Sequence, residues 1–240
     1  MSTRSFLFLC VTACTVCKVP TTGDAGGGTV LSVLGRDTVL LVRDTVSRIE
    51  WRSAVGGRSV RRWVSAPLYN TVPTSQLRYI DGDSIPDLFV TLSDEEMISG
   101  SVLLGTTGVA RVAYMTRSPV CLVPDLRDVN GDGKVDIVEH LPGAVSREEC
   151  IGDAAAAPCM NRYHLTWERV LLQRPNGIFA DDSGQAHAFY DSMSAEYTKA
   201  AGQLNLDLLA GMVPSTRCNA AMLVGIKQMA SRAQRLAKAR

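Results

Sequence analysis

Leu126-Arg127-Asp128-Val129-Asn130-Gly131-Asp132-Gly133-Lys134-Val135-Asp136-Ile137 decides how this chain is read, because its pattern already stands 49 residues earlier, in Leu77-Arg78-Tyr79-Ile80-Asp81-Gly82-Asp83-Ser84-Ile85-Pro86-Asp87-Leu88. The two segments align without gaps, with Leu-Arg starts, Gly-Asp centres and Asp-aliphatic ends. An internal repeat sets architecture, so it is read before any single motif. The later copy places oxygen side chains at loop positions 1, 3, 5 and 9, as Asp128, Asn130, Asp132 and Asp136. The carbonyl of Lys134 falls at position 7, and Gly133 supplies the permissive backbone of a sharp turn. Calcium takes six to eight hard oxygen ligands in a flexible shell, which this spacing can wrap around one ion. Three carboxylates within nine residues would also repel one another without a cation. The alternative is a solvated acidic turn, since Asn-Gly and Asp-Gly form turns unaided. The earlier copy keeps Asp81, Asp83 and Asp87, but Tyr79 replaces the first oxygen and Ser84 the glycine, so a weaker calcium loop or a relic turn is expected there.

The segment after each loop selects its family. Asp128 to Glu139 also satisfies the EF-hand spacing, and Asp128-Val129-Asn130-Gly131-Asp132-Gly133-Lys134-Val135 also looks like a dockerin repeat. Both need a helix next. Asp136-Ile137-Val138-Glu139-His140-Leu141 and Asp87-Leu88-Phe89-Val90-Thr91-Leu92 read as strands instead, the former ending at Pro142-Gly143. Strand-followed DxNGDGxxD loops resemble the FG-GAP or VCBS repeats of integrin-type β-propellers. Arg174-Pro175-Asn176-Gly177-Ile178-Phe179-Ala180-Asp181 looks like the hairpin that closes such a blade. The resemblance spans about residues 75–182. It implies that Ca2+ held by Asp128, Asn130, Asp132, Lys134 and Asp136, and more weakly by Asp81, Asp83 and Asp87, is structural. It also implies a role in adhesion or ligand binding, or as an appendage of a surface enzyme.

Outward from the repeat, residues 29–180 read mainly as short strands. Thr29–Leu34 and Thr38–Val42 flank Gly35-Arg36-Asp37. Ile49–Arg52 and Val60–Val64 flank Gly56-Gly57. Ser101–Leu104, Val109–Met115 and Tyr163–Leu172 come later. About 150 residues at a 49-residue period give roughly three blades, fewer than a closed propeller uses. The expected fold is therefore mainly β with a helical C-terminus: a partial β-propeller-like stack of about three blades (alternatively a β-sandwich), capped by two α-helices. Met193, Tyr197, Ala201, Leu204, Leu208 and Met212 recur at helical spacing up to Pro214. Ser215 or Thr216 can cap a second helix with a stripe of Met222, Ile226, Met229, Ala233 and Leu236. Arg232, Arg235, Lys238 and Arg240 complement the dipole at its end, or form a membrane-surface or partner-docking tail.

The N-terminus reads as an address. Arg4 precedes the apolar run Ser5–Ala13, and Val11-Thr12-Ala13-Cys14 resembles a bacterial lipobox, which would make Cys14 the lipid-bearing residue. An ordinary secretory signal cut after Ala13 and a buried strand are the alternatives. The domain plan is a signal peptide over 1–13, a tether over 14–28, the calcium-binding β domain over 29–190 and the helical cap over 191–240. With Cys10, Cys14 and Cys17 set aside, Cys121, Cys150, Cys159 and Cys218 form an even set. A disulfide between Cys150 and Cys159 would staple the small-residue loop between them, leaving Cys121 with Cys218, and four free thiols are the alternative.

Composition bounds the rest. The 240 residues are 46% hydrophobic and 20% charged, enough for a sizeable core, and Arg outnumbers Lys twenty to five. A net charge of +1 offers no overall field to recruit nucleic acid, so none is expected. No GxSxG, P-loop or HExxH occurs, and His140, His164 and His187 have no metal spacing. Trp51, Trp63 and Trp167 are core or cross-strand residues, or a sugar-binding surface. These readings lead to a non-enzymatic, exported lipoprotein on the outer membrane, facing the periplasm or the surface. It would be a binding or scaffold module for a protein or glycan partner at the cell envelope. The alternatives are a secreted form, a dockerin-like docking protein, and a surface lectin or hydrolase appendage.

Overall fold

The computed structural model describes residues 28–93, 98–118, 123–143, 150, 165–181 and 185–239. Among the described residues, twelve strands form three antiparallel four-stranded sheets, each a simple meander whose neighbours are consecutive in the chain. The first holds β1 (Gly28–Leu34), β2 (Asp37–Arg43), β3 (Ser47–Val55) and β4 (Arg58–Val64). The second holds β5 (Val72–Arg78), β6 (Asp87–Ser93), β7 (Ile98–Leu104) and β8 (Arg111–Ser118). The third holds β9 (Asp125–Arg127), β10 (Asp136–Leu141), β11 (Trp167–Gln173) and β12 (Phe179–Asp181). Helices α1 (His187–Leu209) and α2 (Arg217–Lys238) pack against each other after them.

The sheets stack in chain order, because each central strand is apolar on both faces. Successive residues of a strand point to opposite sides. Leu88 and Val90 of β6 join Val39, Ile49, Trp51 and Leu103 in a core between the first two sheets. Phe89 points the other way and joins Ile80, Val102, Leu104, Tyr114, Ile137 and Leu171 between the second and third. The next residue of β10, Val138, reverses again and meets the helices, with Trp167, Val170, Tyr190, Met193, Tyr197, Met222 and Ile226. The result is an open stack of three blade-like sheets, none closed, capped at the third by a helical hairpin.

Turn chemistry places the breaks. Gly35, Gly56 and Gly57 take positive φ in the hairpins of the first sheet, as their sequence setting requires. The Arg174–Ile178 turn joins β11 to β12 with Gly177 at φ 70°. Thr216 is the cap of α2, its hydroxyl accepting the Asn219 amide at 3.2 Å. The first helix begins at His187 and ends at Leu209, where Gly211 turns left-handed before Pro214. Met212 is therefore exposed and Leu208 only partly buried, whereas the spacing had both on the buried stripe. Asp207 is fully buried in that helix instead, bonded to the Gln203 amide.

The disulfide expectation is corrected. Cys150 pairs with Cys218 at the start of α2, with 5.1 Å between Cα atoms, and not with Cys159. Cys150 is itself buried in the helix-facing core, which brings its sulfur to the start of α2. Cys159 and Cys121 lie outside the described residues, as do Cys10, Cys14, Cys17 and His164. No described helix is long and apolar enough to cross a membrane.

Candidate metal loops

Both acidic loops occupy the same place, joining the first strand of a sheet to its second. Residues 79–86 connect β5 to β6, and 128–135 connect β9 to β10. Three of their hydrogen bonds correspond residue for residue, including the buried one from Ile80 or Val129 to the closing aspartate. The Asp83 amide donates to Asp81 Oδ1 at 3.1 Å, as Asp132 does to Asn130 Oδ1 at 3.1 Å. The Ile85 amide donates to Asp83 Oδ1 at 2.6 Å, as Lys134 does to Asp132 Oδ1 at 2.9 Å. Gly82 and Gly131 both take positive φ.

Each loop closes on a fully buried aspartate, the first residue of the second strand. Asp87 accepts the Ile80 and Asp81 amides on Oδ2, at 2.6 and 3.1 Å, and the Gly105 amide on Oδ1 at 2.8 Å. Asp136 accepts Val129 on Oδ2 at 3.0 Å and Gln173 on Oδ1 at 2.9 Å. The second-strand aspartate thus ties its loop to the far end of the third strand. Asp37, at the start of β2, is the third member of the set. In that sheet a two-residue turn replaces the loop, and the buried carboxylate is held by Trp51 Nε1 at 2.8 Å and the Ser53 hydroxyl at 3.3 Å. The first copy had no loop to betray it in sequence. Its signal is the lone Asp37, fifty residues before Asp87.

The two loops differ where their sequences do. Asp128 organises the later loop by accepting Gly131 on Oδ1 at 2.7 Å and Gly133 on Oδ2 at 2.9 Å. Gly133 reaches that carboxylate with φ 82°, while Ser84 at the matching place does not take a positive φ. Tyr79, the counterpart of Asp128 in the repeat, is half exposed and has no carboxylate to offer the loop amides.

Electrostatics favour a cation. Burial raises the proton affinity of Asp136 against the pull of its two amide donors, and the charges of Asp132 and Asp128 raise it further. Burial likewise pushes the Asp87 carboxyl up to about 6, against the Gly105, Asp81 and Ile80 amides, with Asp81 adding to the rise. The donor set of the later loop is all oxygen, as calcium requires. Among the described residues, however, no three His, Cys, Asp or Glu side chains already converge on one point. The loop carboxylates fold onto loop amides, and the Lys134 ammonium stands 3.8 Å from Asp132. A carboxylate oxygen that accepts one amide keeps a second lone pair, so the hydrogen bonds and a bound ion are compatible.

The other candidates serve the core. Trp51 is completely buried opposite Trp63, and Trp167 stacks on Tyr190 with the Arg232 guanidinium 4.3 Å from its ring. Arg232 therefore covers a core aromatic rather than joining the basic end of α2. Glu139 lies in β10, accepting the Tyr114 hydroxyl at 2.7 Å and Arg169 Nε at 2.6 Å, so it bridges two sheets. His140 sits between Asp125 and Glu168, 3.6 Å from each. His187 is held at its Nδ1 by the Ala237 carbonyl.

Comparison with protein families, with curated proteins and with solved structures found no match for this chain.

Proposed function

We propose that the chain is a non-enzymatic binding or scaffold module of the FG-GAP/VCBS kind, stabilised by Ca2+ and exported as a cell-envelope lipoprotein through Cys14. The observation carrying this reading is the pair of equivalent loops, each running straight into a strand and sharing three corresponding hydrogen bonds despite unequal sequences. Asp128, Asn130, Asp132, the Lys134 carbonyl and Asp136 would hold the ion in the later loop, and Asp81, Asp83 and Asp87 a weaker one in the earlier. The ion supplies the positive charge that the crowded carboxylates lack and fixes a loop that joins two strands.

The strand after each loop favours this reading over a dockerin- or EF-hand-like protein, in which calcium orders a helix. Glu139, the residue such a loop would use at position 12, is engaged by Tyr114 and Arg169. Binding to the folded state alone raises stability by mass action, so thermal melts in excess calcium and in chelator test the proposal. A higher melting temperature in calcium supports it, and superimposable melts would overturn it. The lipid anchor is tested separately, by the mass of the mature N-terminus in a bacterial host.

A further inference from the structure

The first sheet is the basic end of the stack. Between residues 28 and 64 the sequence has seven arginines against three acidic residues, in a chain whose total is only +1. Three of those arginines gather on one face. The register pairs Leu40 with Glu50 and Val42 with Arg48, while Val39 and Trp51 turn toward the second sheet. Glu50 and its neighbours therefore lie on the outer face, where Leu40 and Val42 are buried without joining any of the three hydrophobic cores among the described residues. Glu50 is 1% exposed. Arg48 Nε reaches its Oε1 at 3.1 Å, Arg52 Nε and Nη2 reach its Oε2 at 2.9 and 2.5 Å, and Arg61 Nη2 stands 3.6 Å from Oε1. Asp44 takes the second fork of Arg48 at 2.7 Å. Arg52 holds Oε2, and Arg48 divides its fork between Oε1 and Asp44, so these two guanidiniums already balance the two carboxylates. Arg61, 57% exposed, is the surplus positive charge of the face, beside exposed Val33 and Val64.

We infer that this outer face docks on anionic phospholipid headgroups. Basic residues beside apolar surface suit the boundary between headgroups and acyl chains. Chain order points the same way. The first sheet follows residues 1–27, so an anchor at Cys14 would lie closer along the chain to this end than to the helical cap. The choice of a membrane over a free anion rests in part on that export reading.

The test uses the full chain carrying Cys14→Ala, so that no attached lipid contributes, and sedimentation with vesicles at one fixed calcium concentration. Binding to phosphatidylglycerol vesicles, none to phosphatidylcholine vesicles, and release by 0.5 M salt are expected. Arg61→Gln should lower the partition coefficient about fivefold and Arg61→Lys should retain it, because at a lipid surface the charge counts more than the fork. Equal binding to both vesicle types, no binding to either, or an unchanged Arg61→Gln variant overturns the inference. Displacement by 10 mM inorganic phosphate also overturns it, in favour of a discrete phosphate site. A thermal melt of each variant establishes that it is folded, and Arg61→Lys keeps the test decisive should Arg61→Gln not be. The mass of the mature N-terminus reads the lipid anchor independently, so either claim can fail alone.

Discussion

Asp128 and Asp136 bracket one loop but carry different burdens. Asp136 is fully buried and accepts two backbone amides, so Asp136→Asn turns an NH2 toward one of those donors. The expected loss is about 1–3 kcal/mol of unfolding free energy in chelator, and more in calcium, since Asp136 is also a proposed ligand. Asp128 is exposed and accepts the Gly131 and Gly133 amides, which water can satisfy in its absence. Asp128→Ala should therefore cost under about 1 kcal/mol in chelator and abolish most of the gain from calcium. Chemical denaturation of both variants with and without the ion checks the contrast. Glu50 gives a pH prediction. Burial raises its proton affinity, but the hydrogen bonds of Arg52 and Arg48 and the charges of Arg52 and Arg61 outweigh that, so its folded-state value lies below the usual 4.5. A depressed carboxyl contributes stability that is present above the unfolded value and is lost as pH falls through the folded one. Denaturation from pH 6 down to 3 should show stability falling below about 4.5, with a shallower fall in Glu50→Gln.

The elements legible in the sequence were those with strong local signals. Gly35, Gly56-Gly57 and Asn176-Gly177 marked hairpins that the structure contains, and the apolar period located both helices. The strand β5 (Val72–Arg78) gave no such signal before its Leu77-Arg78 end. It contains Pro73, alternates between exposed and half-buried positions, and forms the edge of its sheet, where proline is tolerated. The disulfide was illegible for a different reason. Closing the short Cys150–Cys159 loop looked favourable in sequence, but Cys150 faces the helical cap, a long-range relation that spacing does not encode. The Cys150–Cys218 bond spans 68 residues, and in the chain-entropy view it contributes about 4 kcal/mol. Reducing agent, or Cys218→Ser, should lower stability by a comparable amount, as read from denaturant midpoints. A change below about 1 kcal/mol would mean that cap packing alone holds this end.

At the scale of the molecule, the 49-residue repeat set the architecture, because its loop joins the first two strands of two successive meander sheets. The buried second-strand aspartate proves a more persistent mark than the loop. It survives as Asp37 in a sheet whose loop has shrunk to a two-residue turn, where one acidic residue among ordinary turn signals could not announce it. The open stack also explains why a charged outer face and a helical cap occur at opposite ends. The middle sheet buries both faces against its neighbours, whereas each end sheet must solve the exposure of its outer face differently. The third sheet does so with apolar helices, and the first with arginines around Glu50.

The proposed function depends on the bend that begins at Asp128. Isothermal titration of the full chain with calcium is the most direct measurement. We expect saturable binding in the range of about 1 µM to 1 mM, lost when Asp128 and Asp132 are both changed to alanine in a chain that still folds. Absence of heat and of any thermal stabilisation at 5 mM calcium, or undiminished binding in that double variant, would contradict it.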